Sequence, residues 1–314
     1  MKGNFSRRAM LAMAAAAIPV RVLGQNRKPD SFWKLGVITD EISQDLDEAL
    51  AFLSLYSLNF CELRELWGKN IMNASQQELD RAKKLLRKYG IRASDIASPL
   101  FKYDLPEMPA PASQRDVFRA QFNDRDTDRL LEKAARLSHF FDTPLVRVFS
   151  YWRVEDPEKA YPYVRDRLAR AASFARSHAM IFGLENEHTC NVGTGRELAR
   201  IVKEVNSPHL RGVWDPGNAV TLGEAPHPDG YDAVRGLFEH MHVKDVRNDS
   251  GKWTWLPVGQ GVANFPAVFR ALRREDYSGT ISLETHYRRA DGNRLESTRE
   301  SLEGLLKVLQ EAGM

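Results

Sequence analysis

Four side chains able to hold a divalent cation, Glu185, Asp215, His242 and Glu284, stand at or just past the C-terminal ends of four short apolar runs. The runs cover residues 180–185, 210–215, 240–245 and 280–284, and their length and composition read as β-strands. Intervals of 30, 27 and 42 residues between the four each leave room for a strand, a helix and two loops, with an insertion in the last. The spacing therefore places all four at one end of a parallel barrel. Three carboxylates and one imidazole make a hard, oxygen-rich site suited to Mn2+, Mg2+, Co2+ or Zn2+. His240 shares a strand face with His242, because side chains alternate with period two. Only the residue nearer the strand end reaches such a site, so His240 is expected to pack inside the barrel or behind the ligands.

Elsewhere, strand-like runs alternate with amphipathic stretches along the whole chain. Runs 35–39, 59–63, 91–97 and 144–149 precede helical patterns at 45–55, 75–89, 122–137 and 157–178, with a Pro-rich loop at 105–112. The four chemistry-bearing strands follow, with helices expected at 194–205, 231–238, 265–274 and 296–312. Eight strand–helix pairs in series predict an α/β fold, a (β/α)8 TIM barrel forming one domain over residues 30–314. The alternative is an open doubly wound sheet. Against it, Thr39-Asp40-Glu41-Ile42-Ser43 stands where a Gly-rich dinucleotide loop would follow the first strand.

Residues 1–24 read as a twin-arginine export signal: Ser6-Arg7-Arg8-Ala9-Met10-Leu11 leads into an Ala-rich run ending at Val20, with cleavage expected near Gln25. That run is too short to span a bilayer, which takes about 20 residues of helix, so no stable membrane insertion is expected. Removing Lys2, Arg7, Arg8 and Arg21 from a formal charge of +3 leaves the mature portion at −1. Such a balance offers nothing to nucleic acid or to an anionic membrane. Two cysteines, Cys61 and Cys190, leave little room for a disulfide framework. A periplasmic or otherwise exported protein that folds and takes its metal before export is the consistent reading.

Five segments together resemble the xylose isomerase-like barrel family of sugar and sugar-phosphate isomerases and epimerases. They are Leu184-Glu185-Asn186, Trp214-Asp215-Pro216-Gly217-Asn218, His242-Val243-Lys244-Asp245, Pro257-Val258-Gly259-Gln260-Gly261 and Ser282-Leu283-Glu284-Thr285-His286. The resemblance implies that Glu185, Asp215, His242 and Glu284 are the metal ligands and that the two Glu are also the catalytic acid/base pair. Many members carry a sugar-contacting His three residues after the Asp; Asn218 stands there. The family also includes three-zinc endonucleases with several His on early strands, but all eight His of this chain lie at or after His139.

A divalent ion holding an α-hydroxycarbonyl lowers the pKa of the adjacent C–H and stabilises a cis-enediolate. A carboxylate within about 3 Å can remove that proton. Return to the same carbon from the opposite face epimerises, return to the neighbouring carbon isomerises, and a β leaving group gives a lyase or hydratase instead. A non-catalytic sugar-binding barrel is the reading from a different class, and it has no need of paired bases. Candidate substrate-binding residues are Glu62, Arg64, Lys102, Arg147, Arg153, Glu187, His188, Asn218, Lys244 and His286, each with an internal ion pair or a solvated loop position as the alternative. Trp152, Trp253 and Trp255 fall in expected loops, where aromatic faces stack on sugar rings or anchor the loop. Gly259-Gln260-Gly261 lacks the Lys and the length of a phosphate loop, and reads as a turn at the rim. Export favours a small-molecule carbohydrate that is not phosphorylated, and homo-oligomerisation through outer helices stays open.

Overall fold

Strands whose every residue is apolar or buried must be covered on both faces, and such runs recur at regular intervals. The computed structural model describes residues 33–115 and 121–313; the expected export signal lies outside the described residues. The barrel strands are β1 (Lys34–Val37), β2 (Phe60–Leu63), β3 (Arg92–Leu100), β4 (Leu145–Val148), β5 (Ile181–Glu185), β6 (Leu210–Trp214), β7 (Phe238–Val243) and β8 (Thr280–Leu283). All residues of β4 and β8 are buried, the pattern of a parallel sheet covered by helices on one side and packed upon itself on the other.

The hydrogen-bonded order is β1-β8-β7-β6-β5-β4-β3-β2, all parallel. Between β1 and β2 there is a single bridge, Ile38 to Glu62, reinforced by Thr39 Oγ1 donating to the Glu62 carbonyl at 3.1 Å. The ring is a nearly closed (β/α)8 barrel, as the sequence predicts. An irregularity at Cys61/Glu62, where β3 carries one residue more than β2, shifts the register at the strand that supplies Glu62.

Helices start where the sequence provides caps. Asp45 accepts the amide of Asp47 to begin α1 (Leu46–Leu55). Reciprocal Ser75/Glu78 bonds open α2 (Gln76–Tyr89), which stops at Gly90 in a left-handed conformation. After α3 (Thr127–Phe140) and α4 (Pro157–Ser177, with Pro157 in its first turn), a Thr194/Glu197 capping box opens α5 (Gly195–Val205). Asp215 caps the short α6 (Pro216–Thr221), and α7 (Phe265–Arg274) and α8 (Arg294–Glu311) complete the shell.

Three expectations are corrected. The helix expected at 231–238 is a single turn, Tyr231–Val234; Gly236 adopts a positive φ of 73° and Phe238 opens β7, its ring 5.5 Å from that of Trp214. Trp253 and Trp255 lie on a hairpin rather than in loops: residues Asp245–Asp249 pair antiparallel with Lys252–Leu256. Trp152 is buried and bridged to Cys190, so it anchors its loop instead of offering a sugar platform. Among the described residues, no helix is long and apolar enough to cross a membrane.

Candidate metal centre at the C-terminal mouth

Asp215 is fixed before it can bind anything. Its Oδ1 accepts the Asn218 amide at 2.9 Å, and Asn186 brackets its backbone, donating to the carbonyl at 2.7 Å and accepting the amide at 2.8 Å. That leaves Oδ2 facing Lys244 at 2.9 Å and His242 at 3.9 Å. His242 Nδ1 lies 3.2 Å from Glu185 Oε1 and 3.6 Å from Glu284 Oε2. One ligand atom from each of Glu185, Asp215, His242 and Glu284 falls within 4.8 Å of the others, and all four residues are buried. The structure therefore brings together the four residues whose strand-end spacing predicts a common site.

Two of their oxygens fit an added cation. Glu185 Oε2 and Asp215 Oδ2 are buried and accept no well-aligned hydrogen bond; their ionic neighbours are Arg147 at 3.2 Å and Lys244 at 2.9 Å. Buried carboxylate oxygens without hydrogen bonds are costly, and a hard divalent ion is the partner that three carboxylates and an imidazole suit. Two neighbouring groups fit less well. Glu41 is taken by Arg64 at 2.5 Å and Arg288 at 2.6 Å, and both oxygens of Glu62 face imidazole nitrogens at 3.1 Å.

Electrostatics hold the site ionised. Burial would raise the Glu284 carboxyl, but Lys244, His286 and His242 outweigh it and hold the group well below the usual range. Burial likewise opposes ionisation of Glu185, yet His242 and Arg147 keep it low. Asp215 differs: burial pushes it up to about 6 despite Lys244. Lys244, nearly inaccessible, is bound to Glu284 Oε2 at 2.5 Å; burial disfavours its charge, but Asp215 and Glu284 drive its pKa well above the ordinary value.

The remaining expected substrate contacts separate into three groups. Arg64, Lys102, Arg147, Glu187 and His286 line a narrow cleft together with Glu185 and Glu284. Arg64 spans Asp40, Glu41 and Glu284, while Lys102 pairs with Glu187 at 3.2 Å. Asn218 and His188 meet at 3.0 Å beside Glu185, and Lys244 and His286 flank Glu284. Glu62 and Arg153 are corrections. Glu62 is fully buried beneath the site and is committed to His240 and His242. Arg153 turns away to the Cys190 and Asn191 carbonyls and to Glu197 at the start of α5. Asp40 and Glu41 at the end of β1 and Arg288 after β8 were not expected; the strand-end rule applied to 35–39 points at the first two. A wider hollow at the opposite mouth, lined by Lys34, Arg87 and Arg92, holds none of these residues, and the working end of such barrels is the C-terminal face.

A parallel eight-stranded ring with a carboxylate–imidazole cluster at its C-terminal mouth defines a TIM barrel with a metal-competent centre. The family described as xylose isomerase-like TIM barrel matches residues 56–308, and the chain belongs to it. An uncharacterised protein of Methanocaldococcus jannaschii is 29% identical over 140 residues, which is 43% of this chain and 47% of that protein; the match thus reaches just under half of that relative's length. Among solved structures, D-allulose 3-epimerase from a Methylomonas species in complex with D-allulose superposes with a TM-score of 0.66, at 16% identity, over 89% of this chain and 97% of that one. The IolI protein with a bound zinc atom superposes with a TM-score of 0.68, at 15% identity, over 89% and 99%. At such identities these likenesses concern the fold.

Proposed function

We propose that this protein is a divalent-metal-dependent isomerase or epimerase acting on a sugar or keto-sugar. The observation that carries the reading is the buried set Glu185, Asp215, His242 and Glu284, with two carboxylate oxygens left without hydrogen bonds among four mutually close ligand atoms. The likeness to a D-allulose epimerase and to a zinc-bound barrel supports it. Those four residues would hold the ion. When bound, it would polarise an α-hydroxycarbonyl and acidify the neighbouring C–H.

The chain's own groups supply the rest. Glu185 and Glu284 both line the cleft, so a sugar seated there meets a carboxylate from β5 and another from the end of β8. One, ionised, accepts the proton from carbon, the electron pair moves onto the carbonyl oxygen as an enediolate, and the other, which has taken a proton from solvent before the step, gives it to carbon, so that the two exchange protonation states in a turnover. Return to the same carbon on the opposite face inverts it; return to its neighbour exchanges ketose and aldose. Lys244, His286 and His242 favour the ionised, proton-accepting form of Glu284, which Arg64 contacts at 3.2 Å. Arg147, 3.2 Å from Glu185, steadies that carboxylate while it is the ionised partner. Lys102, Glu187, His188 and His286 remain to read hydroxyl groups around the cleft. If residues 1–24 act as the export signal that their sequence resembles, the proposed substrate is a free rather than phosphorylated sugar, met outside the cytoplasm.

The test is solvent isotope exchange. The protein purified with zinc or manganese is expected to wash a C–H proton of a free ketose such as D-allulose into deuterated water. Glu185→Gln and Glu284→Gln are each expected to lower exchange by at least about a hundredfold. Stoichiometric ion binding without exchange on a panel of free ketoses and keto-glycosides would leave a binder, and the enzyme reading would be abandoned.

A further inference from the structure

Glu62 has no access to solvent, and nothing in the chemistry above uses it, yet both of its oxygens are engaged. Its Oε2 lies 3.1 Å from His242 Nε2 and its Oε1 lies 3.1 Å from His240 Nε2. All three side chains are 0% exposed. The backbone at Glu62 is pinned as well, since it forms the one bridge that closes the barrel between β1 and β2 and its carbonyl accepts Thr39 Oγ1.

We infer that Glu62 is the positioning residue of the metal centre: it keeps the His242 proton on Nε2 and so presents Nδ1, as a ligand atom, to Glu185, Asp215 and Glu284. An ionised carboxylate only accepts hydrogen bonds, and an imidazole that gives one nitrogen to a cation keeps its single proton on the other. Each oxygen of Glu62 therefore demands an N–H from the ring it faces. With Nε2 committed, the other nitrogen of His242 is the one that lies 3.2, 3.6 and 3.9 Å from the three carboxylates. His240 serves as the second anchor. By engaging Oε1 it fixes the carboxylate plane, so that Oε2 has one orientation to offer His242; its own Nδ1 meets no partner, as expected of a ring whose task ends at Nε2. Buried carboxylates behind ligating imidazoles set ring orientation and raise ligand basicity, and their loss weakens metal binding by about 10- to 100-fold.

This inference rests on the proposed metal centre, and the experiment separates the two. Zinc affinity is measured by competition with a chromophoric chelator, and the nitrogens of 15N-labelled histidine are followed with and without zinc. In the parent, His242 is expected to stay protonated on Nε2 throughout and to exchange the proton on Nδ1, which faces Glu185 at 3.2 Å, for zinc when the ion is added. Ligation of His242 through Nε2 would overturn the inference without any variant. Glu62→Gln offers one acceptor oxygen to two rings, and is expected to bind zinc about 10- to 100-fold more weakly with the His242 proton redistributed toward Nδ1. His240→Phe, which frees Oε1 and loosens the carboxylate plane while leaving its charge to His242, is expected to weaken zinc binding by less than Glu62→Gln does. Glu62→Asp, which retracts the same charge, serves if the Gln variant does not fold, and is expected to fall between the two. Unchanged zinc affinity in the Glu62 variants, with Nε2 still protonated, overturns the inference alone. Failure of the parent to bind any divalent ion removes the proposed function with it.

Discussion

Lys244 sets the terms on which an ion enters. Its ammonium sits 2.5 Å from Glu284 and 2.9 Å from Asp215, two of the four expected ligands. A unit charge about 5 Å from a divalent ion costs several kcal/mol at an effective dielectric near 20. Lys244→Met removes that opposition and leaves the carboxylates to repel one another, so zinc affinity by calorimetry is expected to rise at least about tenfold; weaker binding would show that the ammonium organises the ligands instead. Asp95 supplies a second residue-level prediction. It is fully buried beside Glu62, its oxygens without a well-aligned hydrogen bond; burial first, and then the Glu62 carboxylate, hold its carboxyl well above the usual range, with Arg147 only partly offsetting them. A carboxyl whose folded pKa is raised contributes its stability below the unfolded value near 3.9 and loses it as pH climbs toward the folded value. Asp95→Asn stays neutral throughout. The melting-temperature difference between Asp95→Asn and the parent should therefore move in favour of the variant as pH rises from about 4 to 8, and a pH-independent difference would mean that Asp95 is ionised in the fold.

At the level of elements, the sequence was legible where a residue's place along a strand decides its role. The strand-end rule picks out Glu185, Asp215, His242 and Glu284, whose ligand atoms the structure gathers within 4.8 Å of one another, and Asp45, Ser75 and Thr194 cap the helices that follow them. Depth and direction were not legible. Glu62 lies one residue before the end of β2, next to a register irregularity, and spacing does not reveal that this puts it beneath the site. Arg153 has Glu197 as partner from an element 44 positions away, and no local pattern announces it. Trp255 was readable in hindsight: Ser250-Gly251, both at positive φ, form the turn of its hairpin. That hairpin sets Trp255 against His286, with ring centres 5.0 Å apart. The loop after it is held by Asp245, whose carboxylate accepts the amides of Gly259, Gly261 and Ala263. Helix α8 packs on the same loop through Gly304, where a Cβ would strike the Val258 carbonyl. Helix propensity alone favours Ala over Gly by about 1 kcal/mol. Gly304→Ala is nevertheless expected to lower the melting temperature, because backbone there cannot yield as a side chain does; a rise would show that the loop adjusts freely.

For the whole molecule, the telling place is the junction of β1 and β2. Every other neighbouring pair of barrel strands shares a ladder, but this junction has one backbone bridge, with side-chain bonds from Thr39 to the Glu62 carbonyl and from Arg64 to Asp40 and Glu41 just past the strand ends. Amide exchange is therefore expected to be faster along β2 than along β6 and β7, which are paired on both sides; equal protection would indicate a ring without a weak point. The ring is also completed by the strand that leads into Glu284. β8 is the last barrel strand to be synthesised, and its partners are β7 and β1, the first. A ribosome thus delivers the fourth carboxylate and the closing hydrogen bonds in the same stretch of chain. No shorter nascent chain carries the full set of four, so any ion they hold is taken up by a finished barrel and not by a half-made one.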